Sequence, residues 1–178
     1  MLNRVPALGG HKLLISIQVK DILQAGTDII VFSAHPSLLG GSGVSGIVHR
    51  AAGPELELFV KSLGPISPGE SIITPAFKLP AKYIIHTVCP RYIYGTREEE
   101  ELLALAYKSA LSLKRNVPDA SSIAFVSLGT GVYRWPLEVA ARIAITELSR
   151  SEFQESVMCV TDEMTAGVYE IALSEAKS

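Results

Sequence analysis

The sequence predicts an α/β fold, a three-layer α/β/α sandwich with a mixed, roughly six-stranded central sheet. Six apolar segments typical of β-strands alternate with amphipathic helical patterns along the chain. Several of these segments are apolar throughout, which indicates strands covered by helices on both faces. Two of them are joined by only eight residues, too few for a helical crossover, so we expect an antiparallel pair within the sheet. One domain is expected over residues 1–178, with its core from about 12 to 175.

The strands and helices are predicted from the spacing of apolar residues and from the prolines and glycines that end them. Strands are predicted at residues 13–19, 28–34, 71–74, 83–89, 122–128 and 156–161. Helices are predicted at residues 44–52, 55–63 and 97–116, from residue 136, and from about 165 to the end. The expected inner faces are Val44, Ile47, Val48, Ala51 and Ala52 in the first helix, Leu102, Ala106, Ser109, Ala110 and Leu113 in the third, and Ala140, Ile143, Ala144 and Leu148 in the fourth.

Composition excludes several function classes. Sixteen Lys and Arg against eighteen Asp and Glu give a net charge of −2, without the basic excess typical of proteins that bind nucleic acid or anionic membranes. No apolar run approaches the roughly 18 residues of a membrane span, and the first twelve residues do not resemble a signal peptide. Cys89 and Cys159 both lie in apolar segments, which predicts buried thiols in a reducing compartment. We therefore expect a cytoplasmic protein.

Two glycine-bearing loops follow predicted strands. The first spans residues 40–46 and precedes a helix; the second spans residues 129–133. Glycine lets the backbone approach a ligand with successive N–H groups pointing inward, and a helix N-terminus adds free donors. Two such loops at the carboxyl ends of strands predict a nucleotide diphosphate site. Ordinary tight turns remain the alternative.

Three other interpretations are weaker. Residues 41–46 match the dinucleotide fingerprint GxGxxG, but residues 35–40 separate them from the strand. A helix end also falls where the acidic residue should follow a second strand. No metal site is expected, because His11, His35, His49, His86, Cys89 and Cys159 lack ligand spacing. No G-x-S-x-G nucleophile elbow is present for a serine hydrolase.

Three separated blocks carry a resemblance to a known family. They are GGSGVSGIVHRAAGPEL at 41–57, LPAKYIIHTV at 79–88 and SIAFVSLGTGVYRWP at 122–136. In this order and spacing the chain resembles the macro domain family from about residue 13 to residue 173. The resemblance implies a mixed six-stranded sheet between helices and a cleft for ADP-ribose. It also implies that residues 1–178 form a single macro-like domain.

The resemblance assigns roles to particular residues. Asp21 matches the aspartate that accepts from the adenine amine, with a helix N-cap as the alternative, and the backbone of Ile22 would touch the base. The loop N–H groups would meet the pyrophosphate. Tyr133 would pack on the sugar–phosphate region, or else be a core aromatic. The expected ligand-binding residues are Asp21, Ile22, His35, Gly41, Ser42, Gly43, Val44, Ser45, Gly129, Thr130, Gly131, Val132 and Tyr133.

The chain departs from the family pattern around the distal ribose. Residues 32–35 read Phe-Ser-Ala-His where the family has Asn-Ala-Ala-Asn, whose second asparagine bonds the distal ribose hydroxyls. Ser45 replaces the aspartate that positions or activates water in hydrolytic members, and serine cannot act as a general base. Phe32 suggests a more apolar pocket wall. Lys20 and Arg134 replace two glycines of the family pattern. Arg134 is either a solvated charge or a residue that binds a phosphate or carboxylate.

His35 is the single catalytic candidate, because histidine titrates near neutral pH and could accept a proton or hold a ribose hydroxyl. A loop histidine packed over the cleft is the alternative. Two functions remain: a module that binds ADP-ribose or a related derivative without efficient hydrolysis, and a hydrolase of ADP-ribosyl esters that uses bound water and His35. The expected partners are ADP-ribose or an ADP-ribosylated protein, with no cofactor, no membrane and no nucleic acid.

Overall fold

A seven-stranded mixed sheet forms the centre of the protein. The computed structural model describes residues 3–6 and 12–178, with side chains from residue 13 onward. The strands are β1 Asn3–Pro6, β2 Lys12–Val19, β3 Ile29–Ser33, β4 Ser71–Pro75, β5 Tyr83–Thr87, β6 Ser122–Val126 and β7 Glu155–Val160. Their order across the sheet is β1-β2-β7-β6-β3-β5-β4. The five inner strands are parallel, and β1 and β4 are antiparallel to their neighbours.

All six predicted strands form, and the antiparallel pair expected from the short connection is β4 with β5. The additional strand, β1, was not predicted because it is only four residues long and contains a proline. Proline removes a donor from the ladder and is tolerated at a sheet edge, which is where β1 lies.

Helices cover both faces of the sheet, which confirms the three-layer sandwich. They are α1 Gly43–Ala52, α2 Pro54–Val60, α3 Arg97–Ser112, α4 Leu137–Leu148 and α5 Glu163–Ala176, with short 3-10 turns at Ile22–Gln24 and Leu113–Asn116. One buried cluster lies between the sheet and α3, α4 and α5. A second lies between the sheet and α1 and α2. Within the described residues, no helix is long and apolar enough to cross a membrane.

Sequence signals set most helix boundaries. Gly53 and Pro54 separate α1 from α2 as expected. The Thr96 side chain accepts a hydrogen bond from the backbone N–H of Glu99, and the following glutamates lie in the positive first turn of α3. The predicted second and third helices are shorter than expected, because α2 ends at Val60 and residues 113–116 tighten into a 3-10 turn.

Two predicted inner faces need correction. In α3 the buried residues are Leu103, Ala106, Tyr107, Ala110 and Leu111. Leu102, by contrast, is 37% exposed. The prediction chose a stripe rotated by about one residue, because apolar residues on both sides of the true face fit a 3.6-residue period. In α1, Ile47 is 45% exposed. The expected inner face of α4 is confirmed.

Candidate functional site

A cleft of about 1400 Å³ opens at the carboxyl edge of the parallel strands. It extends from the end of β2, past the ends of β7 and β6, to the end of β3. This is the edge at which ligands bind in open α/β sheets. All thirteen residues proposed from the sequence line it: Asp21, Ile22, His35, Gly41, Ser42, Gly43, Val44, Ser45, Gly129, Thr130, Gly131, Val132 and Tyr133.

The first glycine loop, residues 40–46, presents bare backbone to this cleft. Gly43 has φ +65°, and a Cβ atom built on Gly41 or Gly43 would meet nothing within 4 Å. The opposite holds for Gly46, where a Cβ would collide with the carbonyl oxygen of Gly41. Gly46 therefore lets the loop fold against the start of α1, whereas Gly41 and Gly43 leave space on the open side.

The amide hydrogens of this loop are available to a ligand. Among the described residues, no hydrogen-bond acceptor is found for the N–H groups of Gly41, Ser42, Gly43 or Val44. They lie at the N-terminus of α1, where the helix macrodipole favours negative charge. This arrangement is suited to an anion and needs no lysine.

The second glycine loop, residues 129–133, is anchored by contacts with Ser127, Trp135 and Tyr169. Gly129 has φ +82°, and a Cβ there would lie 2.6 Å from Cδ1 of Trp135. The Thr130 hydroxyl donates to the carbonyl oxygen of Ser127 at 3.0 Å, and the Ser127 and Tyr169 hydroxyls are 2.6 Å apart. This anchoring leaves the N–H groups of Gly131, Val132 and Tyr133 without an acceptor in the part of the chain that the structure describes.

His35 lies exposed at the end of β3 in a defined hydrogen-bonded turn. Its Nδ1 accepts from the backbone N–H of Ser37 at 3.1 Å and lies 2.8 Å from the Ser37 hydroxyl. That hydroxyl also accepts from the backbone N–H of Leu39 at 3.3 Å. Because a backbone N–H only donates, Nδ1 carries the lone pair and the neutral ring carries its proton on Nε2. The geometry therefore favours a hydrogen-bond donor over a general base.

Ser45 and Phe32 occupy different environments. Ser45 lines the cleft and is 7% exposed, with its hydroxyl 3.5 Å from the Leu39 carbonyl oxygen. Phe32 is fully buried beneath α1, 4.9 Å from His86 and 6.3 Å from His49 between ring centroids. The expectation that Phe32 forms a pocket wall is wrong, because successive side chains of a strand point to opposite faces and Phe32 points into the core.

The two buried histidines beside Phe32 are held in their neutral forms. Burial lowers the pKa of His86 to about 3, and repulsion from His49 acts in the same direction. Burial also lowers the pKa of His49, although Glu57 and the Leu38 carbonyl oppose the shift. Neither histidine lines the main cleft; His49 borders a smaller cavity of about 360 Å³ behind the first glycine loop.

The far end of the cleft adds residues from the region around 161–164, where the family resemblance predicts an adenine-stacking residue that the sequence alone does not identify. Asp21 is exposed, and its carboxylate accepts from the backbone N–H of Leu23 at 2.9 Å, so it is the expected N-cap. Thr161, Asp162 and Thr165, which follow the neighbouring strand β7, also line this part of the cleft. The Asp162 carboxylate caps α5 by accepting from the Thr165 N–H at 2.7 Å. Residues 161–162 directly follow a buried parallel strand, and this position indicates that they lie at the ligand-binding edge of the sheet.

The cysteines and histidines form no metal centre in the part of the chain that the structure describes, residues 3–6 and 12–178. His11, one of the candidates, lies outside it. Both thiols are free and buried, as predicted. Cys159 borders the cleft, and burial raises the pKa of its thiol to about 11, which keeps it protonated near neutral pH.

The fold and cleft define an α/β/α protein with an open cleft between two glycine loops. The family model described as "Macro domain" matches residues 31–144. An O-acetyl-ADP-ribose deacetylase of Klebsiella pneumoniae is 45% identical over 158 residues, which cover 84% of this chain and 90% of that protein. The chain belongs to the macro domain family.

Solved structures agree with this assignment. The Oceanobacillus iheyensis macrodomain with ADP superposes with a TM-score of 0.87 at 35% identity, covering 99% of this chain and 96% of that one. The Trypanosoma brucei macrodomain in complex with ADP-ribose gives a TM-score of 0.80 at 32% identity, covering 89% of this chain and 68% of that one. Both confirm the macrodomain fold expected from the sequence.

Proposed function

We propose that the cleft binds ADP-ribose or a related ADP-ribosyl derivative and does not hydrolyse it efficiently. The observation that carries this proposal is that seven backbone N–H groups of the two glycine loops border one cleft and have no acceptor among the residues that the structure describes. Backbone amides of this kind suit the four non-bridging oxygens of a diphosphate, which share its negative charge. The complexes of two family members, with ADP and with ADP-ribose, support the same class of ligand.

The ligand's orientation follows from the two ends of the cleft. The adenine lies at the end of β2, where Asp21 accepts from its amine and the backbone of Ile22 contacts the base. The diphosphate lies between the loops. The distal ribose lies at the end of β3, where Nε2–H of His35 donates to a ribose hydroxyl and Tyr133 packs on the sugar. The whole chain, residues 1–178, is proposed to act as this one domain.

The absence of efficient hydrolysis follows from two residues. Ser45 stands where hydrolytic members of the family carry an aspartate, and a serine hydroxyl is too weak a base to activate water. His35 uses its Nδ1 lone pair within its own turn. Neither side chain offers a base to a water molecule beside the distal ribose.

Calorimetric titration with ADP-ribose tests the proposal. We expect binding of micromolar strength, which corresponds to about −8 kcal/mol at 1 μM. ADP should bind more weakly, since it lacks the distal ribose, and adenosine should bind weakest because it lacks the diphosphate. The absence of heat at millimolar ADP-ribose would contradict the proposal.

The second candidate function is hydrolysis of ADP-ribosyl esters. The relative named O-acetyl-ADP-ribose deacetylase favours it, and so does the position of His35 at the distal end of the cleft. A direct assay of O-acetyl-ADP-ribose and of a glutamate-linked ADP-ribosyl peptide decides between the two functions. We expect turnover no faster than the uncatalysed reaction.

A further inference from the structure

The surface beyond the His35 end of the cleft is built from two loops in contact. In the sheet β3 lies between β5 and β6, and the loop that follows β5 nevertheless reaches the second glycine loop, which follows β6. The Tyr92 N–H donates to the Tyr133 carbonyl oxygen at 3.0 Å, and the Trp135 indole N–H donates to the Pro90 carbonyl oxygen at 2.9 Å. The rings of Tyr92 and Trp135 are 5.2 Å apart.

The β5 loop is held in a fixed conformation. The Glu99 carboxylate accepts from three consecutive backbone N–H groups, those of Ile93, Tyr94 and Gly95, at 2.8–3.3 Å. Ile93 and Tyr94 are nevertheless 62% and 84% exposed, and Val132 on the facing loop is 87% exposed. Apolar side chains are thus displayed on a rigid backbone rather than buried.

Two arginines flank Tyr133 on this surface. The Arg91 guanidinium carbon lies 5.5 Å from the centre of the Tyr133 ring. Arg134 is exposed and has φ +60°, a conformation that favours glycine. Position 134 thus carries a charged side chain although its backbone conformation is one that glycine adopts more easily. Among the described residues, neither arginine is in an ion pair.

We propose that Arg91, Ile93, Tyr94, Val132 and Arg134, the β5-side rim, bind acidic residues that flank the modified residue of an ADP-ribosylated protein. This inference rests on the proposed function. With the adenine at the β2 end, a group attached to the distal ribose leaves the cleft past β3, toward β5. The rim offers this group two guanidinium groups that form no ion pair with any described residue, beside exposed apolar side chains, and guanidinium matches carboxylate in geometry and charge.

The test compares peptides that share one ADP-ribose group and differ in their flanks. Each carries ADP-ribose on a central residue through a non-hydrolysable linkage, with flanks of Asp and Glu, of Gly and Ser, or of Lys. Affinities are measured by calorimetry at low and high salt, with free ADP-ribose as the reference. We expect the acidic peptide to bind about three- to tenfold more tightly than the Gly/Ser peptide at low salt, and the difference to shrink at high salt.

Arg134→Asn and Arg134→Asp separate charge from backbone effects, because both side chains tolerate a positive φ and are nearly equal in size. We expect Asn to reduce the preference for the acidic peptide and Asp to shift it toward the Lys peptide, with affinity for free ADP-ribose unchanged. Arg91→Gln should also reduce the preference. The matched control is Arg115→Ala, which removes an exposed arginine near the C-terminal end of α3.

The outcomes are distinguishable. Binding of free ADP-ribose and of all three peptides with equal affinity contradicts the inference and leaves the proposed function intact. A preference for acidic flanks that survives Arg91→Gln and Arg134→Asn also contradicts it. If neither free ADP-ribose nor any peptide binds, the proposed function fails and the inference fails with it.

Discussion

The backbone N–H of Ser37 donates to Nδ1 of His35 over 3.1 Å, and this bond fixes the tautomer of the imidazole ring. The Ser37 hydroxyl, 2.8 Å from the same nitrogen, reinforces the arrangement. A neutral ring so held presents N–H at Nε2. The amide of the asparagine found at this position in the family also presents N–H groups. Under the proposed function, His35 therefore acts as a hydrogen-bond donor to the distal ribose and not as a base.

This interpretation predicts that His35→Ala weakens ADP-ribose binding by about two- to tenfold, the effect of one lost hydrogen bond of roughly 0.5–1.5 kcal/mol. His35→Asn should restore most of the affinity, because the amide is also a donor. Calorimetry measures both variants. Clear turnover of O-acetyl-ADP-ribose by the wild-type protein, abolished in His35→Ala, would instead make the histidine catalytic.

Gly43→Glu is expected to reduce ADP-ribose affinity by more than about 100-fold. The carboxylate would occupy the space that now borders the free loop amides, and it would repel the diphosphate. The positive φ of Gly43 adds backbone strain. Gly167→Glu is the matched control, since Gly167 lies exposed in α5 and a Cβ there also meets nothing within 4 Å. Unchanged affinity in Gly43→Glu would show that the loop is only a turn.

The double variant Ser45→Asp with His35→Asn is expected to gain hydrolysis of O-acetyl-ADP-ribose. Ser45 lies on the cleft with 7% exposure, so an aspartate there would place a carboxylate beside the bound ligand. General-base catalysis typically contributes about 10²–10⁴-fold, and even a tenfold gain in turnover over wild type would be informative. A double variant that binds ADP-ribose normally yet remains inactive would show that catalysis needs more than these two positions.

The sequence was sufficient to predict six of the seven strands and the two loops, but it did not show which way individual side chains point. Continuous apolar strands and glycine clusters report local backbone preferences, which is why β2 to β7 and residues 41–46 were predicted. Phe32 was misplaced, because a strand buried on both faces has no alternation to show which way a residue points. The contact of Arg91 with Tyr133 joins loops that follow β5 and β6, two strands that are not neighbours in the sheet, and no local sequence pattern indicates it.

Asp28 links the starts of β3 and β6, and its removal should destabilise the fold. Its carboxylate accepts from the Ser121 N–H at 2.8 Å and from the Ser122 N–H at 3.3 Å. Partial burial acts to raise the pKa of Asp28, but these donors and Lys82 together lower it. We expect Asp28→Asn to cost about 1–2 kcal/mol in unfolding free energy at pH 7, measured by urea denaturation.

The sign of the pH dependence follows from that lowered pKa. The stabilisation is present above the unfolded-state pKa of about 3.9 and is lost as the pH falls through the folded-state value. The difference between wild type and Asp28→Asn should therefore shrink below about pH 4. Asp119→Asn, which changes an exposed carboxylate that also lies near Lys82, is the control. A difference that stays constant down to pH 2 would contradict this account.

The buried histidines predict that acid also destabilises the fold in a second pH range, above that of Asp28. In the unfolded chain both His49 and His86 bind a proton near pH 6.5, whereas burial lowers the pKa of each in the fold, that of His86 to about 3. Because the unfolded state binds more protons, stability is complete above about pH 6.5 and falls as the pH decreases. His86 alone should account for a loss of about 2 kcal/mol between pH 7 and pH 5.

His86→Gln tests this expectation. Glutamine is uncharged throughout the range and can still hydrogen-bond with Thr74, whose hydroxyl lies 3.0 Å from Nε2 of His86. The variant should be less stable than wild type at pH 7, yet its unfolding free energy should change less between pH 7 and pH 5. Equal slopes in His86→Gln and wild type would mean that His86 is not the group whose protonation destabilises the fold.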